Sequence, residues 1–269
     1  MLLRPIDAAV LRHEYATADP FPFVRIEPFL DDAFAEAVAA AYPTFERAAA
    51  RGRVFRTVNE RMKVQITDAA LFPEPVRMLS ESLASPAFLA VLSSITGISD
   101  LLPDEQLEGG GMHITGPGGR LDVHVDFNYL EERQLHRRVN LLLFLNPAWQ
   151  ERWGGQLQFW DREVRQCERT FSPLLNRCVV FETSDRSFHG VAPLATDAPV
   201  CRRSFAAYYY TREAPANWTA SIPATVFRAR PEEWVRASIL MPTERIQRRL
   251  EASMRKIKGR ARRFLRRSS

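Results

Sequence analysis

From Gly109 to Thr211 the chain breaks into short apolar runs separated by clusters of glycine, proline and Asn/Asp, and this rhythm constrains the fold more than any other feature. Eight strands are expected: Gly111–Thr115, Leu121–Asn128, Arg137–Asn146, Gly155–Asp161, Glu168–Phe171, Arg177–Thr183, Ser187–Ala192 and Arg202–Thr211. Eight short strands within about a hundred residues suit a double-stranded β-helix, the jelly-roll or cupin-like barrel. Tight turns are expected at Gly154-Gly155 and at Pro117-Gly118-Gly119.

The first 108 residues read differently, as a mixed support region packed on that barrel. The stretch Pro20–Leu30 looks like a strand entering a turn. Asp31 or Asp32 can then cap a helix through the Ala-rich run before Pro43. Ser85-Pro86 supplies a cap and first turn for a helix reaching about Gly97. The fold class is therefore α+β but mainly β. Residues 1–108 form the N-terminal region with its flanking helices, 109–215 the barrel, 216–243 an extension and 244–269 a basic tail.

The charge is as uneven as the texture. The chain carries a formal +5, yet from Glu244 onward eleven Lys/Arg face two Glu, so the tail is +9 and the body about −4. Ile246, Leu250, Met254, Ile257, Ala261 and Leu265 keep to one face of a helix. Such a basic amphipathic helix either binds an anionic membrane surface or polyanion, or docks its stripe on the body. No sequence-specific nucleic-acid binding is expected. No apolar run approaches the roughly 18 residues of a membrane span, and the early charges argue against a signal peptide. Three cysteines without CxxC spacing suit a reducing cytoplasm, with peripheral membrane attachment through the tail as the variant.

The stretch "LDVHVDFN" sets His124 and Asp126 on one strand face, because side chains at i and i+2 project together. A pair of this kind is common at surfaces. "SFHGVAP" adds His189 near the end of the barrel, where strands distant in sequence lie side by side. Two imidazoles and one carboxylate form the facial triad suited to non-haem Fe(II), leaving open positions on the ion. Thirteen residues on, Arg202 and Ser204 share a face of the last strand and can bind a carboxylate, Arg by its planar fork. Arg203 is the rival, although its face also carries Phe205 and Tyr209.

With "HVDFN", "RRVNLLLFLN", "WGGQLQFWD", "NRCVVFETSDRSFHGV" and "RRSFAAYYYT", the run Gly109–Thr211 resembles the Fe(II)/2-oxoglutarate-dependent oxygenases of the prolyl-hydroxylase-like group. The resemblance implies that His124, Asp126 and His189 bind iron and that Arg202 and Ser204 bind 2-oxoglutarate. It further implies hydroxylation of an unactivated C–H bond using O2, with succinate and CO2 released and ascorbate as a possible reductant. Asn140, of the same parity as Phe144, is a further cosubstrate candidate, with a structural role equally open. His113 and Asn128 are candidate substrate contacts. Phe144 stands where prolyl hydroxylases often carry a tyrosine that touches the cosubstrate. Retention of Asp126 favours hydroxylation over halogenation. The charged, aromatic stretch Phe127–Arg138 reads as a lid whose Arg133, Arg137 and Arg138 either meet an acidic substrate or are simply solvated.

Two other readings suit the same strand rhythm. One is a non-catalytic jelly-roll ligand-binding protein, which has no need to keep all three ligands. The other is a cupin-type metalloenzyme working without a keto acid, which has no use for a buried Arg202. The substrate class stays open among prolyl or peptidyl groups, amino acids, sugars and natural-product intermediates.

Overall fold

The computed structural model describes residues 3–233 apart from 217, 219–221 and 223, together with 238, 240 and 241. The expected basic tail helix over 244–269 lies outside the described residues. The N-terminal part runs α1 (Ala8–Thr17), β1 (Phe23–Ile26), α2 (Asp32–Ala40), α3 (Phe45–Ala49), β2 (Arg53–Arg56), β3 (Glu60–Ile66), α4 (Glu74–Leu83) and α5 (Pro86–Thr96). The barrel follows with β4 (Leu102–Pro103), β5 (Gly111–Val125), β6 (Tyr129–Leu130), β7 (Leu135–Phe144), β8 (Leu157–Trp160) and β9 (Cys167–Phe171). It closes with β10 (Cys178–Glu182), β11 (His189–Val191), β12 (Arg202–Thr211) and β13 (Val226–Arg228).

The main path through the antiparallel sheet is β1-β10-β7-β12-β5-β11-β8-β9, which is the curled order of a jelly roll. Alternation along β12 separates two environments. Phe205, Ala207 and Tyr209 point outward into a core shared with Val38 of α2, Leu79 of α4 and Leu92 of α5. Ala206, Tyr208 and Tyr210 belong to a separate inner cluster, and Arg202 and Ser204 line the barrel cavity. The helices thus cover one face of the sheet and leave the other free to build a site.

Local chemistry explains the helix that anchors this packing. The Ser85 side chain accepts a hydrogen bond from the Phe88 amide, Pro86 occupies the first turn, and Gly97 ends α5 at φ 72°, a left-handed value glycine adopts without strain. Between the caps, Phe88, Leu92 and Ile95 recur at i, i+4 and i+7 and are buried. Asp31 does the same work for α2, accepting from the Phe34 amide.

Two expectations are corrected here. The first two barrel strands are one long strand, β5, in which residues 116–119 bulge out of the pairing with β3 between Arg61↔Arg120 and Lys63↔Thr115. That excursion resets the alternation, so His113 and Thr115 line the same cavity as His124 and Asp126 despite opposite parity. The extension after the barrel also contributes a strand. β13 pairs along Val123–Val125 of β5, with Phe227 directly opposite His124.

Candidate metal and cosubstrate site

His124 of β5 and His189 of β11 are direct cross-strand partners, with ring centroids 4.3 Å apart. Each ring nitrogen Nδ1 lies against the carbonyl two residues earlier, Asp122 O at 2.8 Å and Ser187 O at 2.9 Å. A carbonyl only accepts, so Nδ1 carries the proton in both rings and Nε2 is left with a free lone pair. Those two Nε2 atoms stand 3.5 Å from Asp126 Oδ1 and Oδ2 respectively. One ligand atom from each of the three residues falls within 4.8 Å of the others, so a single ion could be shared. Burial, with the neighbouring His124, pushes His189 down to about 3, so its imidazole is neutral and ready to ligate near pH 7.

Beneath Asp126 lies a residue that sequence reasoning placed in the lid, either meeting an acidic substrate or solvated. Arg137 is 2% exposed, lies on β7 and donates from Nη2 to Asp126 Oδ2 at 3.0 Å. Its guanidinium stacks 3.5 Å from the centroid of the Tyr208 ring and 4.8 Å from that of Phe127. Asn140 completes the cradle. Its amide donates to Asp126 Oδ2 at 2.8 Å, while its carbonyl oxygen accepts from Arg137 Nε at 2.9 Å and Thr183 Oγ1 at 3.2 Å. Of the two roles open to Asn140, the hydrogen bonds support the structural one, orienting the carboxylate, while its side chain also lines the cavity where a cosubstrate contact was expected. Burial opposes both charges, but the pair outweighs it. Arg137 is held above its ordinary value and Asp126 well below the usual carboxylate range.

Arg137 and Asn140 have opposite parity and should project from opposite faces of β7. Pairing with β12 runs Tyr209↔Val139 and then Tyr210↔Arg137, so Arg138 has no partner. This β-bulge turns Arg137 inward beside Asn140.

Arg202 lies on the same cavity wall and is arranged differently. Its Nε donates to Gly155 O at 2.7 Å and Nη1 to Ser204 Oγ at 3.2 Å, while Nη2 is buried without a partner. Burial alone pushes its pKa down to about 10. Gly155 has φ 73°, and a Cβ there would meet Trp149 at 3.0 Å and the Arg202 side chain at 3.3 Å, so glycine is required where Arg202 docks. Phe144, standing where a tyrosine was the expected alternative, places its ring 5.0 Å from the Arg202 guanidinium. Arg203 faces the helices, donating to Ala39 O at 3.4 Å, and does not line the cavity.

A cavity of about 320 Å³ connects these groups. His113 lines it, with Nε2 held 3.1 Å from Gly109 O and 3.2 Å from the Gln65 amide; burial and then Lys63 keep it neutral. Asn128 is a correction. It sits outside this cavity and clamps the later chain, its backbone N–H donating to Ile222 O at 3.1 Å and its side-chain oxygen accepting from the Ile222 backbone N–H at 2.6 Å. The other two lid arginines also have structural partners, Arg133 with Asp104 at 2.8 Å and Arg138 with Thr211 at 3.1 Å.

Three groups of cavity residues were missed from sequence. Arg53, Phe55, Glu60 and Lys63 come from the β2–β3 hairpin, Tyr208 from β12, and Ala224, Thr225 and Phe227 from the strap around β13. Phe227 packs 5.4 Å from the His124 ring. The strap is fastened by Arg230, which is 4% exposed and donates to Val191 O at 2.9 Å and to Gln158 Oε1 at 3.1 Å.

Residues 110–210 match the model of the 2OG-Fe(II) oxygenase superfamily. The barrel resembles a 2OG-Fe(II) oxygenase domain. Over 78 residues the chain is 31% identical to the prolyl 3-hydroxylase OGFOD1 of Mus musculus, a match covering 28% of this chain and 14% of that protein's length. In fold the chain is similar to a prolyl-4-hydroxylase from Pseudomonas putida, at 21% identity and TM-score 0.53, covering 76% of this chain and 99% of that one. It is likewise similar to the epimerase SnoN in complex with Fe3+, alpha ketoglutarate and nogalamycin RO, at 14% identity and TM-score 0.53, covering 84% and 98%. The donor set suits the iron of this superfamily, since two imidazole Nε2 atoms and one carboxylate are in reach of one point. The partnerless Arg202 Nη2 suits the distal carboxylate of 2-oxoglutarate.

Proposed function

We propose that this oxygenase hydroxylates an unactivated C–H bond of its substrate, using iron held by His124, Asp126 and His189 and 2-oxoglutarate held by Arg202 and Ser204. The reading is carried by one observation: a triad and a buried, incompletely satisfied guanidinium line the same cavity. When bound, iron and 2-oxoglutarate would supply activation of O2, the oxidant, with one oxygen atom going to the hydroxylated carbon and the other to the succinate formed as the keto acid loses CO2. The chain supplies position. The backbone carbonyls of Asp122 and Ser187 fix the tautomers of the two histidines, and Arg137 with Asn140 holds Asp126 Oδ2, leaving Oδ1 free of those two donors. Arg202 meets the far carboxylate, while Phe181 and Phe227 keep water from the histidine rings. Asp126 occupies the place a halide ligand would need, which supports hydroxylation over halogenation.

The test is anaerobic titration of the Fe(II)-loaded protein with 2-oxoglutarate, followed by succinate measurement in air with ascorbate and a substrate panel. A visible charge-transfer band and substrate-stimulated succinate are expected. A protein that binds iron but gives no such band would be a metal-binding jelly roll of another kind.

A further inference from the structure

The cavity has an electrical imbalance at its mouth. Four of its lining residues are cations, Arg53, Lys63, Arg137 and Arg202, against two carboxylates, Glu60 and Asp126. Arg137 is matched by Asp126 and Lys63 by Glu60, at 3.0 Å each. Arg202 and Arg53 remain. A divalent ion and a doubly charged keto acid cancel one another, so loading the site leaves a surplus of two positive charges in the lining.

The outer part of that surplus is organised around one ring. In the β2–β3 hairpin, Phe55 pairs with Lys63 and Arg53 with Gln65, and all four line the cavity. The Arg53 guanidinium lies 4.6 Å and the Lys63 ammonium 5.0 Å from the centroid of the buried Phe55 ring. A phenyl face attracts a cation but cannot neutralise it, and two like charges on one ring repel. No carboxylate among the described residues pairs with Arg53, which is exposed at the cavity rim. An anion between these two side chains would relieve both.

Resting on the oxygenase reading, we propose that the substrate is an acid. Its carboxylate or phosphate group is gripped at the cavity mouth by Arg53 together with Lys63, and the C–H bond to be attacked lies deeper, toward the triad. Phe55 holds the two cations in place, and Glu60 keeps Lys63 from folding away from the mouth. Arg53 acts as a substrate-binding residue, with five donors in a planar fork suited to either anion.

The experiment pairs acids with neutral counterparts: small carboxylates with their amides, phosphate monoesters with the parent alcohols, and short Asp- or Glu-containing prolyl peptides with Asn or Gln versions. Full-length wild type and Arg53→Glu are compared by 2-oxoglutarate affinity, by stimulation of succinate release, and by ligand-observed NMR for direct binding. Wild type should prefer the acid in at least one arm by about tenfold or more, as one charge-assisted contact dictates. The preferred arm identifies the anion's source. In Arg53→Glu that preference should vanish or reverse, with 2-oxoglutarate affinity unchanged within about twofold. Equal use of acid and neutral partners by wild type overturns the proposal, and so does a large loss of 2-oxoglutarate affinity in Arg53→Glu, which would assign Arg53 to the cosubstrate. If no protein binds 2-oxoglutarate, the oxygenase reading fails by itself. The NMR arm then still decides the anion site, through an acid preference that does or does not depend on Arg53.

Discussion

Two arginines face the same cavity, both almost fully buried, and the fold treats them in opposite ways. Arg137 has a carboxylate at 3.0 Å, an amide oxygen at 2.9 Å and an aromatic face, and its charge is reinforced. Arg202 has a carbonyl, a hydroxyl and a phenyl ring, no carboxylate, and one nitrogen without a partner, so its charge is weakened to a pKa of about 10. A buried charge without a counter-ion costs free energy unless something else supplies one. The first arginine belongs to the folded chain, and the second is complete only with a ligand.

Replacing each arginine by methionine, which keeps much of its volume, should therefore damage different properties. Arg137→Met leaves Asp126 buried beside a missing cation and should cost on the order of 3–5 kcal/mol of stability in chemical denaturation. Arg202→Met should change stability by no more than about 1 kcal/mol, because relieved desolvation offsets two lost hydrogen bonds. The same variant should weaken 2-oxoglutarate binding by roughly a hundredfold or more in calorimetric titration and largely spare iron. If the two variants lose stability equally, the contrast between the arginines is wrong.

Acidification probes the neutral groups between them. In the metal-free protein His189 titrates at about 3, and His113 is depressed well below its ordinary value, both primarily through burial. From about pH 6.5 downward the unfolded chain binds protons that these folded imidazoles refuse, so stability falls as pH falls through that window. The loss reaches about 1.4 kcal/mol per pH unit for each group. Denaturation at pH 7 and pH 5 should show it, and His113→Gln should flatten part of the slope. The smallest effect belongs to Arg203→Gln. This neighbour of Arg202 faces the helices, and its removal should leave 2-oxoglutarate affinity within about twofold and cost no more than about 1 kcal/mol of stability.

The residues that sequence reasoning could place are those governed by simple alternation. His124 and Asp126 share a face, Arg202 and Ser204 share another, and scarce histidines make His189 conspicuous. The failures occur where alternation is interrupted. Asn128 keeps the parity of Asp126, but β5 ends at Val125 and the parity no longer means anything. Arg53 and Lys63 were not singled out at all, because nothing local says which cavity a hairpin will overhang. The strap that brings Phe227 to His124 lies beyond the barrel pattern, and it is held by long-range partners of Arg230 that no local signal reveals.

The unpaired position in β7 has a consequence for comparing this chain with its relatives. Arg137 faces Asp126 only because Arg138 is a supernumerary residue in the pairing with β12. Deleting that one position would leave the arginine opposite Tyr210 and still facing Asp126, in a strand that no longer needs a bulge. A relative that keeps the extra residue but pairs it regularly opposite the Tyr210 position would instead carry its arginine to the helix side, with no cation under its metal-binding carboxylate. An arginine in this column therefore reports a cation at the carboxylate only when it is read together with the strand register, so residue identity and pairing form a single character here.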